Sequence, residues 1–341
     1  MMKYCFIVNP SAGKGQFIDK VVLDISETCS KAKADYSVLI SHGLEETRSF
    51  IFENAAAADG EISFIACGGD GTLCQTILLV MELSPEQRSK VSVGVVPMGT
   101  GNDFVSNFTD KEQFFNIDAQ INGSVYDIDL IKCNDIYSVN MVNIGFDSHV
   151  VCKKEQIGRK KWLPRKLAYI IGLAITLIRK PWLKVELSRD GNEAENKELL
   201  LTTLANGAFC GGGFHSNPKA SLTDGNIDCI AVKNIGRMRF VTLVSKYKNG
   251  THLSGKYDKI IQHFKCKKAD LSFSEETPVS IDGEIIRTKE IHLTVEEKAL
   301  RFRLPAGVLP KVREIKEKLG EGIEKIEEKI ATAVSGEKVR A

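Results

Sequence analysis

The chain has 341 residues, of which 43% are hydrophobic and 26% are charged, and its formal net charge is +2. This length exceeds what one hydrophobic core usually organises, so we expect two domains. The composition is ordinary for a soluble globular protein. The charge balance by itself predicts no partner, and we expect no nucleic-acid partner.

The cysteines and the lengths of the apolar runs indicate the cellular location. Nine cysteines are scattered along the sequence without a C-x-x-C pair, which favours reduced thiols in a cytosolic protein over disulfides or a zinc site. The apolar run near the N-terminus is too short for a signal peptide. The longest other run, 167–178, is shorter than the roughly 17 residues that a spanning helix needs. The sequence therefore predicts a cytoplasmic protein, which could still contact a membrane surface.

Strands and helices alternate over the first 110 residues. The predicted strands are 4–8, 36–40, 62–66 and 91–97, and the predicted helices are 16–32, 44–58 and 72–82. Such alternation predicts a parallel sheet with helices on its faces, where ligands bind at the carboxyl ends of the strands. Each of three glycine-rich segments follows a strand, so we expect them to gather along one edge: "NPSAGKG" (9–15), "CGGDGT" (67–72) and "PMGTGND" (97–103).

Short β-rich runs dominate from about residue 125 onward and favour an antiparallel sandwich or open barrel. They are 125–132, 137–146, 183–189, 198–207, 225–232, 269–274, 278–282, 290–295 and 300–304. Helical segments interrupt them near 165–178 and 237–249. After Pro310, apolar residues recur every three or four positions, which predicts an amphipathic helical tail over 311–341. Packing on its own domain, a dimer seam and contact with a membrane all remain open for this tail.

The loop at 68–72 suits an anion such as phosphate. Glycine lets the backbone turn tightly and approach a ligand, and the N-terminus of a following helix offers free N–H groups. A tight turn without a ligand is the alternative. The common nucleotide signatures are absent: "SAGKG" lacks the leading glycine and the final hydroxyl of a P-loop, and Gly99-Thr-Gly101 does not continue into G-x-G-x-x-G.

Six motifs, taken in order, resemble those of a known family. They are "NPSAGKG" (9–15), "GGDGT" (68–72), "PMGTGNDF" (97–104), "NIGFD" (143–147), "GGGFHSNPKASLTDGNID" (211–228) and "IDGE" (281–284). Together they resemble the diacylglycerol kinase catalytic-domain family, which includes bacterial lipid kinases and sphingosine kinases. GGDGT alone is also similar to loops of NAD kinases and phosphofructokinases, whereas the ordered set over roughly residues 1–305 is specific.

The resemblance implies an α/β nucleotide-binding domain with a mainly parallel sheet, followed by a β-sandwich domain. We place the ATP-binding domain at 1–126 with about 296–310, the lipid-substrate domain at 127–295 and the tail at 311–341. The implied enzyme is an ATP- and Mg²⁺-dependent lipid kinase, with diacylglycerol as the leading acceptor and phosphatidic acid as the product. An NAD kinase-like enzyme, a kinase for a sphingoid base or ceramide, and a non-catalytic nucleotide-binding regulator are the alternatives.

The resemblance also assigns candidate site residues. Asp70 and Asp103 would lie beside the phosphates, where a carboxylate requires a cation such as Mg²⁺, and Glu284 would be the base for the acceptor hydroxyl. The candidate nucleotide contacts are Asn9, Pro10, Ser11, Ala12, Gly13, Ser41, Cys67, Gly68, Gly69, Asp70, Gly71, Thr72 and Thr100. The candidate ligands of a second, structural Mg²⁺ are Ser221, Asp224 and Asn226, in a loop where Thr223 replaces an aspartate common in the family.

A basic segment predicts how the protein meets its lipid. Nine Lys or Arg lie between residues 153 and 180, and the only two tryptophans are Trp162 and Trp182. Basic residues attract anionic lipid, and tryptophan favours the headgroup level. We therefore expect the protein to be cytoplasmic and peripherally associated with a membrane. A buried helix with solvated cationic ends is the alternative for this segment, and a homodimer stays open.

Overall fold

The computed structural model describes residues 2–15, 18–146, 148 and 182–311. Nearly all of them belong to one compact unit, Met1–Leu309. The helix expected near 165–178 and, apart from Lys311, the tail expected over 311–341 lie outside the described residues. Within these ranges, no helix combines the length and the apolar character that a membrane crossing requires.

Thirteen strands and six α-helices lie in the described ranges. The strands are β1 Lys3–Val8, β2 Asp35–Ile40, β3 Ile62–Gly68, β4 Val91–Pro97, β5 Ser124–Cys133, β6 Ile136–Ser138, β7 Met141–Gly145, β8 Leu183–Arg189, β9 Glu195–Ala205, β10 Ile227–Lys233, β11 Ile261–Cys266, β12 Lys268–Ile281 and β13 Glu284–Leu304. The helices are α1 Ile18–Ala32, α2 Leu44–Ala57, α3 Asp70–Met81, α4 Pro85–Lys90, α5 Ile117–Ile121 and α6 Arg237–Lys248.

The N-terminal strands pair in the order β2-β1-β3-β4, and all three pairs are parallel. β3 and β4 are buried along their whole length, as expected for strands that are covered on both faces. One apolar cluster joins this sheet to α2 and α3, and another joins it to α1 and α5. The strands and helices predicted for this half are confirmed. α4 and α5 were not predicted, although the capping box of α4, Ser84 with Gln87, and the proline at its first position are local signals.

The sheet does not stop at the end of the α/β region. All thirteen strands form one hydrogen-bonded sheet with the main path β11-β10-β9-β7-β12-β13-β4-β3-β1-β2. Beyond β1–β4 the pairs are antiparallel, apart from a single parallel bridge between Phe302 of β13 and Val93 of β4. The expectation of a mainly parallel sheet therefore does not describe the sheet as a whole, because parallel pairing is limited to these few strands.

Two long strands replace four short ones in the β-rich half. The runs expected at 269–274 and 278–282 merge into β12, and those at 290–295 and 300–304 merge into β13. Register shifts in both strands explain the interruptions in the sequence pattern, because a bulge moves side chains to the opposite face. β13 runs from the antiparallel region to the edge of β4, so one strand links the two regions.

A buried arginine fixes the end of β13 to the N-terminal region. Arg303 is 3% exposed and donates to the carbonyls of Gln120 and Ile121 and to the Tyr4 hydroxyl. Its guanidinium also lies 5.0 Å from the centre of the Tyr4 ring. Burial lowers the pKa of Arg303. The carbonyl and ring partners satisfy a cation that would otherwise be costly to bury.

A buried histidine lies beside α6. His252 is fully buried, and its ring stacks on Tyr247 of α6 with 4.3 Å between the ring centres. Burial lowers the pKa of His252 to about 4, His263 acts in the same direction and Asp228 opposes it. The imidazole is therefore neutral in the folded protein at neutral pH.

This histidine should make the protein less stable in mild acid. In the unfolded chain its pKa is about 6.5, so below that pH the unfolded state binds a proton that the folded state excludes. Stability should fall as the pH drops from about 6.5 to about 4, by up to about 3 kcal/mol from this group. We expect His252→Phe to flatten this part of the pH dependence of urea unfolding. Equal slopes for the wild type and the variant would contradict the assignment.

Candidate functional site

Loops that follow β1, β2, β3 and β4 meet at one edge of the sheet. The backbone N–H of Ser41, after β2, donates to Val8 of β1 at 2.9 Å. Beyond β4, Met98 N–H donates to Gly68 of β3 at 2.7 Å. These bonds gather the glycine-rich segments along the carboxyl ends of the strands, as the strand–helix alternation predicts.

Asn9 joins the loops of the two central strands, β1 and β3. Its Nδ2 donates to Thr72 Oγ1, its Oδ1 accepts from Ser11 N–H, and both distances are 2.9 Å. Its backbone N–H donates to the carbonyl of Cys67 at 3.0 Å. The chain leaves β1 toward β2 on one side and leaves β3 toward β4 on the other side. Open α/β sheets form a ligand crevice at such a switch point, which here lies between β1 and β3.

Glycine is required where the loops after β3 and β4 touch. A Cβ on Gly99 would lie 2.5 Å from the Cα of Gly69, and a Cβ on Gly68 would lie 2.3 Å from Thr72 Oγ1. Asn102 braces the second loop in a left-handed conformation, with φ of 54°. Its Oδ1 accepts from Gly99 N–H at 2.9 Å and its Nδ2 donates to the carbonyl of Pro97 at 2.8 Å. The two backbones are thus held in contact without a ligand.

The N-terminus of α3 opens into this crevice. The N–H groups of Thr72 and Leu73 donate back to the carbonyl of Gly69. No acceptor among the described residues engages the N–H groups of Asp70 and Gly71, the first two residues of α3. Two free donors and the positive end of the helix dipole make this point suitable for an anion.

Two carboxylates lie side by side at the same place. A Cβ on Gly101 would lie 3.3 Å from Asp70 Oδ2 and 3.5 Å from Asp103 Oδ2. Asp70 Oδ1 accepts from Phe104 N–H at 3.1 Å. The Asp103 oxygens accept from Gly212 and Gly213 N–H at 2.9 and 2.7 Å. Burial raises the pKa of Asp103, the two amides lower it, and the Asp70 carboxylate raises it further.

Asp103 therefore connects the α/β region to the "GGGF" loop of the β-rich region. It precedes a short 3₁₀ turn, but its side chain does not cap that turn. Gly212 and Gly213 both have positive φ, and a Cβ on either would meet no atom within 4 Å. Backbone conformation and not close packing thus favours glycine at these two positions.

Glu284 lies at the first position of β13, just after a tight turn. Asp282 and Gly283 form this turn with φ of 47° and 98°. The Asp282 carboxylate accepts four hydrogen bonds of 2.7–3.1 Å, from the Ser138 hydroxyl and from the N–H groups of residues 139–141. Burial raises the pKa of Asp282, and the donors oppose that rise. The turn that carries the exposed Glu284 is thereby fixed to the segment before β7.

The surroundings of the Cys74 thiol include both Glu284 and Asp70. Cys74 lies one turn after Asp70 on α3. Burial raises its pKa well above the usual value, and the carboxylates of Asp282, Asp70 and Glu284 add to the effect. All three carboxylates therefore lie within electrostatic reach of one sulfur atom.

The side chains of the other predicted nucleotide contacts differ in exposure, and their role stays a prediction. The side chains of Cys67 and Ala12 lie in the apolar cluster beneath α1, and burial raises the pKa of the Cys67 thiol. The Ser41 hydroxyl is engaged by Thr47 Oγ1 at 2.6 Å. Thr100 is exposed in the loop after β4, while Pro10 and Gly13 lie in the partly buried loop after β1.

The loop at 221–226 holds its charges differently. Asp224 Oδ2 forms an ion pair with Lys265 Nζ, and Asp224 Oδ1 accepts from Asn226 N–H at 3.1 Å. Ser221 is partly buried nearby in the chain. Among the described residues, no group of three or more His, Cys, Asp and Glu side chains is arranged to hold a metal ion. Magnesium ligation by Ser221, Asp224 and Asn226 stays a prediction.

Sequence reasoning assigned no role to three residues that shape these sites. Asn102 and Asp282 both lie within recognised motifs and adopt positive φ, for which Asn and Asp next to glycine are a usable local signal. Lys265 left no local signal, because its partner Asp224 is far away in the sequence and β11 itself was not predicted.

Comparison with known families matches nearly the whole described chain. Residues 3–133 match the diacylglycerol kinase catalytic domain, and residues 140–303 match the YegS C-terminal NAD kinase beta sandwich-like domain. The fold is thus a diacylglycerol kinase-like fold with a C-terminal β-sandwich-like domain.

Several bacterial proteins are similar to this chain in sequence. The chain is 28% identical to a diacylglycerol kinase of Staphylococcus epidermidis, over 82% of this chain and 84% of that protein. It is 29% identical to a diacylglycerol kinase of Bacillus subtilis, over 64% of this chain and 70% of that protein. It is 27% identical to a Shewanella frigidimarina protein named "Probable lipid kinase YegS-like", over 74% of this chain and 80% of that protein.

A solved structure shows the same fold. The crystal structure of a diacylglycerol kinase from Bacillus anthracis superposes with a TM-score of 0.66 at 21% identity, covering 90% of this chain and 98% of that one. With both of its domains matched in order, the chain belongs to the diacylglycerol kinase catalytic-domain family and is a lipid kinase.

Proposed function

We propose that this protein transfers the γ-phosphoryl group of ATP to the hydroxyl of diacylglycerol, which yields phosphatidic acid. One observation carries the proposal: Asp70 and Asp103 lie side by side at the N-terminus of α3, and Glu284 lies within electrostatic reach of Cys74 on the same helix. Phosphoryl transfer requires an anion site, charge neutralisation and a base for the acceptor, and the crevice offers a group for each.

The donor side of the reaction fits the loops after β1, β3 and β4. The free N–H groups of Asp70 and Gly71 would bind phosphate oxygens at the N-terminus of α3. The adjacent carboxylates of Asp70 and Asp103 repel each other and phosphate alike, so they suit a cation between them and the nucleotide. Mg²⁺ bound there would neutralise charge on the phosphates. The contact between Gly69 and Gly99 would hold the loops after β3 and β4 in place before ATP binds.

The acceptor side fits Glu284. Its side chain is exposed, whereas Asp103 is 9% exposed and engaged by two amides. Glu284 is therefore the carboxylate of this set that an incoming hydroxyl can reach, and it would take the proton as the oxygen attacks phosphorus. Asp282 would hold the base in place through the fixed turn.

Diacylglycerol as the acceptor rests on the relatives from Staphylococcus epidermidis and Bacillus subtilis, which are named diacylglycerol kinases. A membrane-bound substrate requires contact with the bilayer surface. Trp182 is 58% exposed and follows the basic segment 153–180, which supports peripheral membrane contact near this point.

A direct assay tests the proposal. Purified protein and γ-labelled ATP would be offered diacylglycerol, a sphingoid base, ceramide and NAD in parallel, each with Mg²⁺ and with EDTA. We expect labelled phosphatidic acid only in the reaction with diacylglycerol and Mg²⁺. Preferential labelling of NAD, ceramide or the sphingoid base would show that diacylglycerol is not the preferred acceptor. Undiminished labelling in EDTA would show that the reaction does not depend on Mg²⁺.

The first variant tests charge neutralisation at the donor site. Asp70→Asn keeps the shape and the Phe104 contact but removes the charge that would bind Mg²⁺. We expect kcat/KM to fall by more than about 100-fold, equivalent to about 2.7 kcal/mol of transition-state stabilisation. Steady-state kinetics with saturating Mg²⁺ measure this, and circular dichroism checks the fold. Activity within about tenfold of wild type would contradict the role.

A second variant separates the base from the nucleotide site. Glu284→Gln should lower kcat by about 100-fold or more while ATP binds with unchanged affinity, because the base acts on the acceptor alone. Calorimetry gives the affinity and turnover gives kcat. If affinity falls and kcat survives, Glu284 is a nucleotide ligand.

A third variant tests the turn beneath the base. Asp282→Asn replaces the charged carboxylate by a neutral amide with one acceptor oxygen, which cannot accept all four hydrogen bonds. The free energy of unfolding should therefore fall by about 1–3 kcal/mol. Glu284→Gln is the matched control, because its exposed side chain should leave stability unchanged. Urea unfolding of the two variants compares them. Equal stability would show that the Asp282 network does not hold the turn.

A further inference from the structure

The loop at 221–226 lies against a group of charged side chains away from the crevice. Asp129, which is 1% exposed, accepts from the N–H groups of Gly225 and Lys298 at 2.8 Å each. Burial raises the pKa of Asp129, and the carboxylates of Asp224 and Glu297 add to the effect. Three carboxylates therefore lie close together around this loop and require positive charge nearby.

Two lysines supply that charge, and they differ in burial. Lys265 Nζ pairs with Asp224 Oδ2, and the two side chains are 29% and 13% exposed. Lys267 Nζ pairs with Glu297 at 2.7 Å, with side chains 64% and 55% exposed. The first pair is largely desolvated and the second is a surface pair, so only the first should contribute much to stability.

Sheet pairing fixes Lys265 in this place. It lies on β11 directly opposite Asp228 of β10, and the loop that contains Asp224 leads into β10. The loop is further closed by Asn226, whose N–H donates to Asp224 Oδ1 and whose Nδ2 donates to the carbonyl of Asp224. Both oxygens of Asp224 are thus engaged within the chain.

The donor set does not fit a divalent cation beside the lysine. Mg²⁺ and Ca²⁺ each require about six or more oxygen ligands. Here Asp224 is occupied, both oxygens of Asp129 accept backbone N–H groups, and Thr223 is exposed in place of a carboxylate. An ammonium already at Asp224 would also repel a divalent ion.

We propose that the ammonium of Lys265 occupies the cation position of the 221–226 loop, so that a tethered lysine replaces a structural metal ion. The loop then keeps its conformation at any concentration of divalent cation. This role is independent of Mg²⁺ bound with ATP and of the reaction in the crevice.

Thermal unfolding without nucleotide, in EDTA or in millimolar Mg²⁺, tests the proposal. The wild type should have the same Tm in both. Lys265→Met should lower Tm in EDTA by roughly 5 °C, because it leaves a largely buried carboxylate unpaired. Added Mg²⁺ should restore part of the loss, since the cation position is then vacant. Lys265→Arg, which keeps the charge, should remain insensitive to Mg²⁺.

Lys267→Met is the matched control, because it removes the same charge from the neighbouring exposed pair. We expect a shift below roughly 2 °C and no response to Mg²⁺. A wild-type Tm that falls in EDTA and recovers with Mg²⁺ would overturn the proposal, whatever the variants do. The proposal would also be overturned if Mg²⁺ changed the Tm of the wild type and of Lys265→Met equally. Equal decreases in Tm for Lys265→Met and Lys267→Met would overturn it as well. If Lys265→Met does not fold, the wild type and Lys265→Arg still decide.

Discussion

The close approach of two backbones at Gly69 and Gly99 is the constraint on which the candidate site depends. A Cβ at Gly99 would lie 2.5 Å from the Cα of Gly69, which no side chain other than hydrogen allows. Because the loops touch, the N-terminus of α3 and Asp103 after β4 lie at one point. Because β3 and β4 are parallel, both loops arrive at the same edge. The candidate anion site, the two neighbouring carboxylates and the boundary with the β-rich region all lie at this contact.

Five carboxylates of the candidate site and of the 221–226 loop are held in three ways, and the differences indicate their roles. Asp282, Asp103 and Asp129 accept backbone N–H groups, which fixes segments that are distant in sequence. Asp224 is neutralised by an ammonium. Glu284 is exposed at the start of a strand. A carboxylate that is saturated with donors is suited to positioning, and one that is accessible is suited to proton transfer. The functional assignment of Glu284 therefore rests on contrast with its neighbour Asp282.

Sequence reasoning performed best where local pattern and tertiary environment agree. The strands β1 to β4 and the helices α1, α2 and α3 were located within a few residues, and for β3 and β4 burial on both faces leaves continuous apolar runs. The glycine-rich loops were recognised because close approach and anion binding both require glycine. It performed worse in the β-rich half, where bulges in β12 and β13 divide each strand into two apparent ones. β11 was missed, and with it the position of Lys265.

What the sequence could not reveal is which polar groups already have partners. The motif that contains Asp224 has the same appearance whether a metal or a lysine neutralises it, since the lysine comes from a strand whose register is set by the whole sheet. The same holds for Asp103, whose donors Gly212 and Gly213 lie in the other region. Recognised motifs thus identify candidate ligands, whereas tertiary hydrogen bonds decide how many of their oxygens remain available. Among the described residues, Asp70 keeps Oδ2 without a hydrogen-bond donor, whereas both oxygens of Asp224 are engaged, although a glycine follows each aspartate.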